Sequence, residues 1–317
     1  MNKNTKIWAN YMLGIAISLV LLWSIKMQAG RQLATINADT WNHTGWNGYL
    51  AASIVLMILN QVLETGKWYL LCRMIAPLTF AKALRSYLAG IAVALVTPNR
   101  IGDYPARILY LGGKSTFRYI SVAVLGIMAQ LSAIFLFGLA GLIYYNSVFP
   151  SFAAKMVLAG CAIANVLLII GYWRFRLWLP ALARMPRLRR FAAYGRLLAR
   201  FSSAAQLRVL LISVARFGIF TAQYLFLLRW MNVSVPLVDG FWTAALFFWA
   251  MAVIPSIAFT GVIIRTKVSM MLFGHFSANT VGIVAATVGI WILNLAVPAI
   301  IGSILMIRTR LLLMVKE

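Results

Sequence analysis

Asp103 stands three residues after Arg100 and four before Arg107. On a helix, those spacings set all three side chains along one face. A carboxylate between two guanidiniums leaves one net positive charge, and guanidinium donors match phosphate oxygens in pairs. The plainer reading is an ion pair that holds the tip of a hairpin. Further charges fall in apolar surroundings: Glu64 and Lys67 three apart, Arg216 alone, Arg265 and Lys267 two apart. A charge placed in hydrocarbon costs about 3 kcal/mol or more, so such residues pair, face a polar interior or mark a substrate path. Glu64 and Lys67 fit a local pair or a role beside the hairpin. Arg216 fits snorkelling towards water or contact with substrate. Arg265 and Lys267 fit phosphate binding from the opposite side. Arg100, Asp103, Arg107, Arg265, Lys267, Glu64, Lys67 and Arg216 are therefore the expected substrate-binding residues, with Pro98, Gly102, Pro255 and Gly261 as backbone breaks.

Other chemistries find no support. Gly113-Lys114-Ser115 resembles the end of a phosphate-binding loop, but Ile108 stands where its first glycine belongs and no strand precedes it. His43 and His275 are far apart, with no Cys or acid at ligand spacing. Serine-hydrolase and zinc-protease patterns are absent. Cys72 and Cys161 fall in separate apolar segments and read as packing residues. Asn42-His43-Thr44 and Asn232-Val233-Ser234 match glycosylation sequons by chance length alone. No catalytic residue, metal or cofactor is expected, and the chain is not read as an enzyme.

These residues must be positioned by helices in a membrane. Of 317 residues, 63% are hydrophobic and 11% charged, with only five acids against 29 Lys and Arg. The net charge of +24 suits cytoplasmic loops and anionic lipid; no reading motif points to nucleic acid. Apolar runs near 7–25, 48–72, 119–145, 153–173, 209–230 and 279–307 approach the about 20 residues that span a bilayer. The first is read as an uncleaved helix, since Met27-Gln28-Ala29 is a poor signal-peptide cleavage site. Between them lie two hairpins, near 80–113 and 240–275, each with two arms of about 14–18 residues, short for a full crossing.

The hairpins resemble each other. Pro77-Leu78 leads through an apolar stretch to Pro98; Pro236-Leu237 leads to Pro255, and Pro98 and Pro255 are 157 residues apart, as are Met74 and Met231. Segment 174–208 carries nine arginines and no acid, and segment 73–118 seven basic residues. Both are read as cytoplasmic, as are both termini, while 26–47, 146–152 and 231–239 are external. The helix before hairpin one then runs inward and the helix before hairpin two outward, an inverted-topology repeat with half-repeats about 48–145 and 209–307 in one integral membrane domain, 1–317. Broken polar backbone at membrane depth is tolerated only where it lines a cavity or is buried in protein. Within 174–208, basic and apolar residues alternate as in an amphipathic helix on the inner leaflet, or as in a loop that only sets topology.

Pro98-Asn99-Arg100-Ile101-Gly102-Asp103 with Arg107, together with Trp68-Tyr69-Leu70-Leu71 upstream and the second hairpin, resembles the lysylphosphatidylglycerol synthase transmembrane-region family, also called flippase-like domain proteins. Its motif runs Pro-x-Arg-Leu-Gly-Glu-x-x-x-Arg, so Asp103 replaces the usual Glu. The likeness spans about 48–307. In multiple peptide resistance factors this module is associated with moving aminoacylated phospholipid outward. Two departures follow. No aminoacyltransferase domain follows Glu317, so lipid synthesis is not expected of this chain, and the second hairpin lacks the acid that family members often carry there.

The expectation is an all-α polytopic protein of a bacterial inner membrane, with about six spanning helices and two re-entrant or broken hairpins. It would work as a flippase or scramblase for a modified phospholipid, aminolipid or polyprenyl-linked lipid. Membrane lipid is the expected partner, with a lipid-modifying enzyme or a second copy as further partners and no nucleic acid. The alternatives are an accessory protein docking a lipid-modifying partner through 174–208, and a membrane-embedded headgroup enzyme.

Overall fold

The computed structural model describes residues 47–97, 100–111, 116–150, 152–184, 202–254 and 261–315. The span expected at 7–25, nearly all of the loop at 26–47, the breaks at Pro98 and Pro255, the chain ends and the heart of the basic segment at 185–201 lie outside the described residues.

Among the described residues the fold is entirely helical: α1 (Gly48–Arg73), α2 (Phe80–Val96), α3 (Asp103–Leu111), α4 (Thr116–Val148), α5 (Phe152–Arg184), α6 (Ser203–Trp230), α7 (Leu237–Val253), α8 (Gly261–Phe273), α9 (Thr280–Trp291), a π turn (Ile292–Ala296) and α10 (Val297–Val315). Side-chain caps set several starts. Asn47 accepts from the Tyr49 and Leu50 amides, Thr79 from Lys82, Ser202 from Ala205 and Asn279 from Gly282. The Ser202 cap explains why α6 begins six residues before the expected 209.

Among the described residues five stretches are long and apolar enough to cross a membrane: Gly48–Arg73, Arg118–Val148, Met156–Arg174, Ser203–Trp230 and Thr280–Ile307. They coincide with five of the six expected spans, and the chain is a multi-pass membrane protein. α5 departs from helical geometry at Arg174 and continues to Arg184, so the amphipathic character read for 174–208 begins on a continuation of a spanning helix. Its exposed Ile163, Val166, Leu167 and Ile170 suit lipid rather than water.

The hairpin arms are shorter than the spans. α2 and α7 have 17 residues each, α8 has 13 and α3 only nine, below the expected 14–18. At 1.5 Å per residue, α3 covers about 14 Å of a roughly 30 Å hydrocarbon layer.

Packing partners recur between the halves. α1 packs on α2 and α4, and α3 on α2 and α4; likewise α6 packs on α7 and α9, and α8 on α7 and α9. The halves join where α1 meets α6, α4 meets α7, and α10 meets α2. Small residues make the last two crossings close, as in membranes generally. A Cβ on Gly138 or Gly141 of α4 would strike Trp249 or the Trp242 carbonyl of α7, and one on Gly302 of α10 would strike the Leu88 carbonyl of α2.

Candidate functional site

The first hairpin folds back because its tip is tied to α2. Thr97 ends α2, its hydroxyl donates to the Val93 carbonyl, and it accepts from the Gly102 amide at 3.0 Å. Gly102 lies so close to Val93 and Thr97 that any Cβ would collide. Arg100, with φ 58°, takes the left-handed conformation that reverses the chain. α3 then starts at Asp103, whose carboxylate sits favourably in the first turn. α3 lies hard against α2 at Gly90, where a Cβ would come within 2.5 Å of both Arg107 Cγ and Asp103 Oδ1.

Asp103 and Arg107 form a two-point ion pair, Nε to Oδ1 at 2.6 Å and Nη2 to Oδ2 at 2.9 Å. Arg107 Nη1 donates to Glu64 of α1 at 2.9 Å. Its guanidinium lies 4.6 Å from the ring centres of both Tyr87 and Tyr104, a cation–π setting. Its backbone carbonyl accepts from Ser86, which accepts in turn from the Trp68 indole. Each of the three guanidinium nitrogens of Arg107 thus donates to a carboxylate inside the protein.

Glu64 is the hub. Besides Arg107 it binds Lys67 at 2.7 Å and Arg216 of α6 at 2.5 Å. Arg216 also donates to Gln130 of α4 at 2.7 Å and Asn60 of α1 at 3.0 Å, and Lys67 donates to Gln130 at 3.2 Å. An amide relay extends the network. Asn60 donates to Asn294 in the π turn, Asn294 to Gln223, and Gln223 to the Ser53 carbonyl. Tyr87 donates a short hydrogen bond to Gln61. Buried charges persist only when paired and hydrogen-bonded, which this network achieves.

The network forms one wall of a cavity of about 400 Å³ between the two halves. Facing it are apolar side chains, among them Phe220, Phe248, Met251 and Trp291. The volume lies within the range of small-molecule sites.

Seven of the eight expected binding residues reach this cavity: Glu64, Lys67, Arg100, Asp103, Arg107, Arg216 and Arg265. Three details differ from expectation. Arg100 does not share a helical face with Asp103 and Arg107, because the helix starts after it; its half-exposed side chain approaches Asp103 only to 4.0 Å. Arg216 does not snorkel: 13 residues into α6, it points inward to Glu64. Lys267 is exposed and does not line the cavity, because two residues along α8 turn it away from Arg265. Of the breaks, Gly102 is buried at the first tip and Gly261 begins α8.

Arg107 and Arg265 are each the fifth residue of the returning arm, but Gly261 stands where α3 has Asp103. Among the described residues Arg265 has no acidic partner. Where the first half uses charges, the second uses hydroxyls. Tyr224, 157 residues after Lys67, contacts Ser269 and Thr287 at 2.7 Å each, joining α6, α8 and α9.

Sequence reasoning missed Asn60, Gln61, Tyr87, Gln130, Gln223 and Asn294. The available signal was carboxamides inside otherwise apolar spans, which at membrane depth must face polar partners.

The family described as Lysylphosphatidylglycerol synthase TM region matches residues 11–302, and the chain belongs to that family. No curated protein matches it.

Proposed function

We propose that this member of the lysylphosphatidylglycerol synthase TM region family is a flippase or scramblase, moving a modified phospholipid, aminolipid or polyprenyl-linked lipid across a bacterial inner membrane. One observation carries the reading: a polar, net positive cavity walled by both hairpin-bearing halves of a multi-pass membrane protein. A headgroup crossing bare hydrocarbon meets a barrier of several kcal/mol. Arginine donors, carboxamides and broken backbone midway lower that barrier, while the acyl chains stay in lipid.

In this reading the halves form an inverted repeat, and the hairpins are re-entrant. Arms as short as α3 favour entry and return on one side. Loop charge orients α2 and α3 towards the cytoplasm and α7 and α8 outward. Rocking of one half against the other about the Glu64–Arg216 contact would expose the cavity to each leaflet in turn. The reaction makes and breaks no covalent bond; the ion network positions and neutralises, and the protein acts as a transporter rather than an enzyme.

The test is leaflet-specific quenching in liposomes holding purified protein, over fluorescent phospholipids, aminolipids and polyprenyl phosphates, without ATP. Transfer of at least one of these lipids faster than in empty liposomes is expected. No acceleration for any of them, with or without an ion gradient, overturns the reading.

A further inference from the structure

The cavity wall is unbalanced. Lys67, Arg100, Arg107, Arg216 and Arg265 place five formal positive charges on it, and Glu64 and Asp103 only two negative ones. The excess of three is not spread evenly. Arg107 is paired to both Asp103 and Glu64, and Lys67 is held by Glu64 and Gln130. Arg216 has Nε and Nη1 engaged by Asn60, Glu64 and Gln130. The weakest compensation falls on Arg100, which reaches Asp103 only at 4.0 Å, and on Arg265, which has no acidic partner among the described residues, one from each hairpin. Both guanidiniums line the same cavity. Two weakly compensated guanidiniums lining one cavity are stabilised when an anion joins them.

We infer that Arg100 and Arg265 together form the capture site for a lipid headgroup with more than one negative charge, a phosphomonoester or diphosphate, and that the cavity disfavours cationic aminolipid headgroups. This narrows the transport reading and rests on it. A phosphomonoester carries about −1.5 to −2 at neutral pH, and a diester only −1. Planar guanidiniums can each take two of its oxygens. An aminoacylated headgroup would bring an ammonium into a wall already short of carboxylates. Its natural acceptor, an acid in the second hairpin, is missing, since Gly261 stands at the position of Asp103. The phenylalanines opposite suit the first methylenes of the lipid tail.

The experiment separates binding from movement. Full-length protein in detergent is titrated with dihexanoyl phosphatidate, dihexanoyl phosphatidylcholine, a short-chain lysylphosphatidylglycerol and inorganic diphosphate, with thermal stabilisation as readout. The same headgroups on fluorescent long-chain lipids are then followed in liposomes. Phosphatidate should bind about tenfold or more tightly than the zwitterion, as expected for one added charge-assisted contact, and the aminolipid weakest. Arg265→Gln should abolish that preference, Arg265→Lys should retain part of it, and Arg208→Gln, an exposed charge that does not line the cavity, should leave it intact. An aminolipid bound as tightly as phosphatidate overturns the inference, as does an unchanged preference in Arg265→Gln. Inorganic diphosphate bound as tightly as phosphatidate overturns the lipid assignment and leaves a soluble-anion site. Selective phosphatidate binding without movement of any lipid upholds the capture site and rejects transport. Movement without that selectivity does the reverse.

Discussion

Glu64→Gln should unlatch the two halves. The substitution keeps the side chain's size but replaces the carboxylate that Lys67, Arg107 and Arg216 share, at 2.7, 2.9 and 2.5 Å. At an effective dielectric of about 20, one contact near 3 Å is worth roughly 5 kcal/mol before desolvation. Glutamine offers one neutral acceptor in return and turns an amide donor toward a cationic wall. Breaking a buried ion pair by removing one partner costs about 3–5 kcal/mol. For a chain of this size that corresponds to a fall in unfolding temperature of roughly 4–8 °C. The loss should be shared with Arg216 and not additive to it. Arg216→Met removes one of the three orphaned cations, so the double variant should unfold about 1–3 kcal/mol closer to wild type than the sum of the single changes. The assay is thermal unfolding of the three variants in one detergent, followed by tryptophan fluorescence. A Glu64→Gln protein within about 1 kcal/mol of wild type, or single effects that add within about 0.5 kcal/mol, would refute the hub role.

Gly90→Ala should destabilise by about 1–3 kcal/mol, because its methyl would overlap Arg107 and Asp103 where α3 rests on α2; a neutral effect in the same unfolding assay counts against that seating. Single cysteines at Arg208 and Ser234, in a background lacking Cys72 and Cys161, should react with an impermeant thiol reagent from opposite sides of the membrane. Labelling from one side removes the inverted arrangement. Arg265→Gln should slow lipid transfer about tenfold or more, one lost charge-assisted contact, whereas Lys267→Gln, exposed and off the cavity wall, should slow it less than about twofold by weakening only a screened surface charge. Equal effects would mean that α8 acts through its net charge rather than through one side chain.

The helices were readable because their signals are local. Five apolar runs matched the five described stretches long and apolar enough to cross a membrane, and the four-residue spacing of Asp103 and Arg107 gave their ion pair directly. Arg100 was misplaced because the three-residue rule holds only within a helix, and the left-handed turn at Arg100 delays the start of α3 to Asp103. The link from Glu64 to Arg216 spans 152 positions and depends on how α1 crosses α6, which no local pattern encodes. Gln130 and Asn294 carry no charge, and no local spacing in their apolar helices marks them. Only the packing shows that they close the network between the halves. Lys267 and Arg265 were indistinguishable by type and proximity, and helical phase alone separates them.

The most direct test of the central claim, that a lipid headgroup occupies the cavity between the hairpins, is photo-crosslinking in liposomes with a phospholipid bearing a photoreactive group on its head, followed by mapping of the adducts by mass spectrometry. The account predicts adducts on the cavity wall, at 60–67 of α1, 100–107 at the first hairpin and around Arg265 of α8, all reduced by excess unlabelled phosphatidate. Adducts confined to the lipid-facing side of α5, around Ile163 and Leu167, with none on the cavity wall, would contradict it.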